Sequence, residues 1–187
     1  MSDSQERKIS LEEFYRMREE TNQLLEYVDG VVFMSPSPST AHQRISGKLH
    51  AELFNYLEGK ECEVFSAPYD IQLHRDDLNE DLIFIPDISV ICDKKGFQDS
   101  KYVGVPALIM EILSPSNQSH DLVVKMEAFM KYGVKEYWII NPMLEVIQIY
   151  NLNDSGVYEQ TEVMKEKGTI QSKVLEGFEV KLGDVFT

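Results

Sequence analysis

The stretch "ALIMEILSPSNQSHDLVVKMEAFMKYGVKEYWII", residues 107–140, decides the fold. Its two apolar runs, ALIMEIL and EYWII, are short, as is typical of buried strands, although each carries a single glutamate. Between them the spacing predicts a helix from about Ser119 to Tyr132 that ends at Gly133, because glycine is a common helix terminator. The stretch therefore predicts a strand, a helix and a second strand in succession.

Glu111 stands in the middle of the first of these runs. Alternate residues of a strand share a face, so Glu111 is expected to lie with Ile109 and Leu113. The opposite face would carry Leu108, Met110 and Ile112. Both faces are apolar, as in a central strand that is covered on both sides. We therefore expect the Glu111 carboxylate to be largely buried.

Capping and turn signals organise the N-terminal part of the chain. Ser10 and Glu13 form a capping-box pattern for a helix at about residues 10–20. Asp29 and Gly30, between two β-rich runs in LLEYVDGVVFM, are the strongest short-range hairpin signal. A second helix is predicted over 41–57, with Ser39 or Thr40 as its cap. Its apolar face consists of Ile45, Leu49, Leu53 and Leu57.

Further strands are predicted in CEVFSA, YDIQLH, FIPDISVIC and VIQIYNL, and the tail reads as a hairpin with a short closing element. The fold class is accordingly α/β, more closely an α+β arrangement in which a mixed sheet is flanked by helices. With 187 residues and 43% hydrophobic residues, the chain is expected to form a single domain over 1–187.

Composition excludes several classes of protein. A net charge of −14 argues against a protein that coats nucleic acid nonspecifically, because that binding is supplied by Lys and Arg. No stretch approaches the roughly 20 apolar residues that cross a bilayer, so we expect a cytoplasmic protein that does not contact membranes. Cys62 and Cys92 lie in strand-like contexts without metal-ligand spacing. They are expected to be free buried thiols rather than a disulfide framework.

A second acidic residue, Asp87, lies in the apolar run LIFIPDISVIC. It shares a strand face with Ile85 and Ser89, and Pro86 beside it predicts a bend or bulge. Two buried carboxylates need a compensating positive charge. A divalent cation would serve Asp87 and Glu111 together, and Mg²⁺ suits a few carboxylates with a backbone carbonyl.

Lys125 is the other source of positive charge. At 100° per residue it lies about 60° from the centre of the apolar stripe formed by Leu122, Met126 and Phe129, so its ammonium can reach a polar site. Asp121 lies one turn earlier and can pair with Lys125 or face the same cleft. The residues alone leave two interpretations open: a metal site, or a structural salt bridge without metal.

The whole set of motifs resembles the Uma-two family of restriction endonucleases, a branch of the PD-(D/E)XK nuclease superfamily that is common in bacteria. The resemblance runs from about Leu25 to Phe186 with matching order and spacing. It is carried by LEYVDGVVFMSPSPSTAHQRISGKL, FSAPYDIQL, IPDISVIC, GVPALIMEILSPSNQSHDLVVKMEAFMKYGVKEYWIINP and FEVKLGDVF.

This resemblance implies a restriction-endonuclease-like core that hydrolyses phosphodiester bonds of DNA with Mg²⁺, for which Mn²⁺ can substitute. Asp87, Glu111 and the backbone carbonyl of Ile112 would bind the metal ion. Lys125 would orient or deprotonate the attacking water, and Glu26 would be the additional upstream acid. The superfamily pattern places the lysine two residues after the acid, where this chain has Leu113. The family is thought to recruit it from the following helix instead.

For several other residues, a structural explanation stands beside the functional one. His42 and Gln43 could contact substrate at a helix start, which attracts anions, or could simply be solvated there. Glu26 could be a surface charge. Trp138 and Tyr137 are more typical of a core than of base stacking. Ser114 and Ser116 fit loop and cap chemistry better than nucleophilic catalysis.

Two functions remain as hypotheses: a Mg²⁺-dependent endonuclease acting on duplex DNA, and a catalytically inactive domain of the same fold that binds metal or a partner. Binding to DNA would need a basic rim. The candidates for this rim near the proposed cleft are Arg44, Lys48, Lys125 and Lys131 of the two helical segments and Lys135 shortly after the second one. A homodimer is expected, because cutting both strands needs two sites.

Overall fold

The computed structural model describes residues 8–35, 37–114 and 120–187. The α-helices are α1 (Leu11–Glu19), α2 (Thr40–Leu57), α3 (Met126–Tyr132) and α4 (Leu182–Phe186), and a π-helix spans His120–Lys125. The strands are β1 (Leu25–Val28), β2 (Val31–Met34), β3 (Glu63–Ser66), β4 (Asp70–Leu73), β5 (Leu82–Phe84), β6 (Ile88–Ile91), β7 (Lys101–Val103), β8 (Leu108–Ile112), β9 (Glu136–Asn141), β10 (Val146–Leu152), β11 (Tyr158–Lys165), β12 (Thr169–Gln171) and β13 (Glu179–Lys181).

These strands form two main sheets. One has the order β2-β1-β5-β4-β7 and the other the order β11-β10-β9-β8-β6-β3, while β12 pairs with β13. The pairs β4·β7 and β8·β9 are parallel, and their neighbours in the sheets are antiparallel. The predicted class, a mixed α/β fold with helices against the sheet, is confirmed.

The predicted helices and the first hairpin are present. Ser10 caps α1 by accepting a hydrogen bond from the backbone N–H of Glu13. Asp29 and Gly30 have φ values of 50° and 85°, the left-handed conformation that a two-residue hairpin turn of this type requires. Ser39 caps α2, which buries the predicted row of apolar residues.

The six-stranded sheet is covered on both faces, as the apolar alternation of β8 predicts. Leu108, Met110 and Ile112 pack in one core with the buried face of α2. Ile109 and Leu113 pack in a second core with Phe129 of α3 and apolar residues of the five-stranded sheet. The side chain of Glu111 therefore belongs to the face between the two sheets, and it is buried as expected.

The run LIFIPDISVIC is two strands rather than one. β5 belongs to the five-stranded sheet and β6 to the six-stranded sheet, so the chain crosses between the sheets at Ile85, Pro86 and Asp87. Pro86 cannot donate to a sheet ladder, which fits its place at the crossover. The predicted bend is confirmed, but the continuous strand face shared by Ile85, Asp87 and Ser89 is wrong.

The helix predicted from Ser119 differs at its start. Ser119 lies outside the described residues, the first described turns are π-helical, and α3 follows and ends at Gly133 with φ 90°. A π-helix has a wider turn than the 3.6 residues assumed for the prediction. Lys125 consequently lies in the core at 3% exposure instead of on the shoulder of the helix.

The two cysteines are paired, which corrects the expectation of free thiols. Cys62 precedes β3, Cys92 follows β6, and these antiparallel neighbours place Glu63 opposite Ile91. The next pair in this register is Cys62 and Cys92, which form a disulfide across a sequence separation of 30. The context of each cysteine alone cannot show this, because the pairing depends on the register of two distant strands.

Among the described residues, no helix has the length and apolar character that a bilayer crossing requires.

Candidate active site

The candidate site lies where the two sheets meet. Glu26 comes from β1 of one sheet, Glu111 from β8 of the other, and Asp87 from the crossover between them. Lys125 ends the π-helix, and His42 lies in the first turn of α2. Five separate segments thus bring these five side chains together.

Glu26 is an interior residue rather than a surface charge. On β1, Leu25 and Tyr27 pack toward α1, whereas Val28 belongs to the core between the sheets. Glu26 shares the face of Val28 because side chains alternate along a strand. It is only 2% exposed, and its Oε1 accepts a hydrogen bond of 2.9 Å from the backbone N–H of Ile85.

Lys125 links the two glutamates. Its Nζ donates to Glu111 Oε1 at 2.8 Å and lies 3.1 Å from Glu26 Oε1. All three side chains are at most 3% exposed, so water screens these charges little. One ammonium between two carboxylates leaves this cluster with a formal charge of −1 when all three groups are ionised.

Asp87 is held by two donors on the same oxygen. His42 Nε2 lies 3.0 Å from Asp87 Oδ2, and the backbone N–H of Ile112 donates to Oδ2 at 2.8 Å. The backbone carbonyl of Asp87 accepts from Ala67 N at 3.1 Å, which joins the crossover to the end of β3. The carboxylate is therefore anchored from α2 and from β8 simultaneously.

Two of the three possible substrate-contacting residues can be placed. His42 is 8% exposed and contacts Asp87, so the alternative of a solvated histidine at the helix start is wrong. Gln43 is exposed and lines the cleft in front of Asp87. The side chain of Asp121 lies outside the described residues.

A cleft of about 140 Å³ opens onto these groups. Asp87, Glu111 and Lys125 line it together with His42 and Gln43, and Ala67 and Pro68 contribute another wall. Ser114 also lines the cleft, whereas Ser116 lies outside the described residues. The cleft thus gives a ligand access to carboxylates that are otherwise buried.

The carboxylate oxygens in the cleft are ligands of the kind that suits a magnesium ion. Mg²⁺ is commonly held by one or two carboxylates and keeps several waters, which corresponds to Asp87 and Glu111 on one cleft. Among the side chains that the structure describes, which do not include those of residues 115–121, no three of His, Cys, Asp or Glu form a metal-binding group. The Ile112 carbonyl as a third ligand remains a prediction.

One of the five residues predicted for the basic rim, Lys125, does not belong to it. Lys125 is committed to the buried cluster and cannot meet a phosphate backbone at the surface. Lys48 contacts Thr187 at the end of the chain. Arg44, Lys131 and Lys135 are exposed.

Glu136 is a buried acid that the sequence interpretation did not single out. It is 0% exposed, and its two oxygens accept hydrogen bonds from Trp138 Nε1, Asn151 Nδ2, Ser172 Oγ and the backbone N–H groups of Lys173 and Val174. These contacts anchor the segment before β13 to β9. Trp138 and Tyr137 are fully buried, which confirms their interpretation as core residues.

The chain has a mixed fold with helices on its sheets, and this fold is that of restriction-endonuclease-like proteins. Residues 11–183 match the model of the Uma2 family, which is described as "Putative restriction endonuclease". The chain belongs to this family.

Two known proteins are similar to this chain. Uncharacterized protein slr1290 from Synechocystis is 29% identical over 150 residues, which cover 80% of this chain and 77% of that protein. A crystal structure from Anabaena variabilis, described as "a putative nuclease belonging to DUF820", has a TM-score of 0.76 at 20% identity and covers 95% of this chain and 97% of its own. At that identity the likeness shows the fold. The family indicates a restriction-endonuclease-like nuclease, and the structural neighbour supports the fold.

Proposed function

We propose that this protein is a Mg²⁺-dependent endonuclease that hydrolyses phosphodiester bonds of duplex DNA. The observation that carries the proposal is the convergence of Asp87, Glu111 and Lys125 on one cleft at the sheet junction, with Glu26 buried against Lys125. A structural salt bridge needs no cleft, whereas catalysis on a polymer needs charged groups that the substrate can reach.

In this proposal Asp87 and Glu111 hold the metal ion, with the Ile112 carbonyl as a further ligand. The bound ion would supply Lewis-acid polarisation of a phosphoryl oxygen and a water of lowered pKa. Lys125 orients the attacking water or accepts its proton, and Glu26 positions Lys125 through their 3.1 Å contact. The buried surroundings strengthen each of these electrostatic interactions.

The test is cleavage of supercoiled plasmid and of a linear duplex by the full chain in Mg²⁺, alongside Asp87→Asn and Glu111→Gln. We expect cleavage by the wild type, none in excess chelator and none by either variant, with circular dichroism showing that all three are folded. Glu127→Gln is the matched control, because Glu127 is exposed on α3 close to Lys125. Cleavage that survives both site variants would overturn the proposal.

The type of substrate and the oligomeric state are tested in separate experiments. A duplex RNA of the same sequence distinguishes DNA from RNA. We expect cleavage of the DNA to fall steeply with salt, because binding through a local basic rim would release counterions from the phosphates. Sedimentation of the protein with and without DNA tests for the homodimer that double-strand cutting would require.

The competing candidate is an inactive domain of the same fold. It is favoured by the contact of Lys125 with Glu111, since an ammonium already compensates this carboxylate without metal. Calorimetric titration with Mg²⁺ or Mn²⁺ separates the candidates, because absence of binding at millimolar metal would favour the inactive domain.

A further inference from the structure

The hydrogen bonds of Asp87 are asymmetric. Both donors that the described part of the chain supplies, His42 Nε2 at 3.0 Å and the Ile112 N–H at 2.8 Å, lie on Oδ2. An oxygen of a carboxylate offers about two lone-pair sites, so two donors fill the capacity of Oδ2. Oδ1, which neither donor contacts, is the oxygen left to coordinate a cation.

The direction of the contact with His42 follows from chemistry. An ionised carboxylate only accepts hydrogen bonds, so His42 must carry its proton on Nε2 and donate it. This nitrogen is then committed to Asp87 and does not donate to a substrate phosphate at the same time. Through Nε2, His42 therefore acts on the carboxylate rather than on the nucleic acid.

His42 is itself held rigidly. Its backbone N–H donates to the Ser39 side chain that caps α2, and its side chain belongs to the same buried helix face as Ile45 and Leu49. The side chain of His42 is 10% exposed and that of Asp87 16%. Because His42 is held by its own packing, its contact with Asp87 fixes the orientation of the Asp87 carboxylate.

We propose that His42 is a positioning residue that sets the affinity of the metal site by fixing the rotation of the Asp87 carboxylate. This inference rests on the proposed function, since it assumes that Asp87 is a metal ligand. Partners that orient a ligand in this way typically change metal affinity 10–100-fold when they are removed, roughly the range expected here.

The experiment is calorimetric titration of the full chain with Mn²⁺, comparing wild type with His42→Leu and His42→Gln. Leucine removes the donor. Glutamine keeps an N–H donor the same number of bonds from the backbone as His Nε2, so it can still reach Oδ2. We expect Kd to rise about 10–100-fold in His42→Leu and to return toward wild type in His42→Gln. In cleavage assays the half-saturating Mn²⁺ concentration should rise similarly, with the rate recovering at saturating metal.

The outcomes are distinguishable. If the wild type binds Mn²⁺ and His42→Leu binds it equally well or more tightly, the role of His42 is overturned while the proposed function stands. The role is equally overturned if both variants weaken binding to the same extent. If the wild type binds no Mn²⁺ at millimolar concentration, both proposals fall. Should His42→Leu not fold, His42→Asn, whose amide is one bond too short, makes the same comparison.

Discussion

Lys125→Met tests the charge balance of the site most directly. The substitution removes the ammonium that lies 2.8 Å from Glu111 Oε1 and 3.1 Å from Glu26 Oε1. Methionine retains most of the apolar stem, so little of the cost comes from lost packing. The two buried carboxylates lose the ammonium that lies between them, and removing one partner of a buried ion pair costs about 3–5 kcal/mol. We expect the free energy of unfolding to fall by that amount in metal-free buffer.

Urea unfolding followed by fluorescence provides the measurement. The chain has one tryptophan, Trp138, which is fully buried on β9 next to the strand of Glu111. Lys131→Met is the matched control, since it makes the same change at an exposed position of α3, where substitutions usually stay within about 0.5 kcal/mol. A loss below about 1 kcal/mol in Lys125→Met would refute the reasoning, because the carboxylates would then be stabilised without Lys125.

Magnesium adds a second arm to this measurement. A ligand that binds only the folded state stabilises it by about 2.7 kcal/mol when its concentration is 100 times Kd. We expect Lys125→Met to bind Mg²⁺ more tightly than the wild type, because Glu111 no longer shares its charge with an ammonium. If Lys125→Met loses the whole expected amount of stability and added Mg²⁺ restores none of it, the result would support the ion cluster and contradict the metal site.

Three further predictions concern stability outside the cleft. Replacing Cys62 and Cys92 together by serine should cost about 3–4 kcal/mol, because the disulfide closes a loop across a sequence separation of 30. Glu136→Gln should lower the free energy of unfolding by roughly 3 kcal/mol or more. Both oxygens of Glu136 accept hydrogen bonds from buried donors, and the NH₂ group of glutamine would replace one of these acceptors by another donor. The pKa of His74 is raised above 6.5 by its hydrogen bond to Asp81 and by the charge of that carboxylate. The wild type should therefore exceed His74→Gln in stability at about pH 5.5 and lose this advantage as pH rises to about 8.5.

Each of these measurements has its own check. Reductant added to the wild type should reproduce the loss in the double serine variant, and an unchanged denaturation midpoint would contradict the disulfide. Glu127→Gln, at an exposed site, should stay within about 0.5 kcal/mol of wild type and is the control for Glu136→Gln. A pH-independent difference between wild type and His74→Gln would show that the Asp81 pairing does not contribute.

The sequence predicts best what depends on neighbouring residues. The hairpin at Asp29 and Gly30 follows from a two-residue turn, and the buried face of α2 follows from a four-residue spacing. The division of β8 between two cores follows from simple alternation, which also places Glu111. These features need no knowledge of what the rest of the chain does.

Contacts between distant segments are the part that local patterns miss. Pro86 indicates a bend, but nothing near it shows that the chain changes sheets there. The disulfide depends on the register of β3 and β6, and the contact of His42 with Asp87 joins residues 45 positions apart. The position of Lys125 differs from the predicted shoulder of the helix for another reason, since the turn that carries it is π-helical rather than α-helical.

Burial alone does not distinguish a functional carboxylate from a structural one. Glu136 and Glu111 are both buried in adjacent strands of one sheet. The oxygens of Glu136 accept from donors that are fixed in the fold, among them two backbone N–H groups, so its charge is compensated permanently. The described compensation of Glu111 comes from the ammonium of a flexible lysine side chain beside an open cleft. A metal ion can replace the ammonium that compensates Glu111, but it cannot replace the fixed hydrogen-bond donors around Glu136. For this reason the metal site is proposed at Glu111.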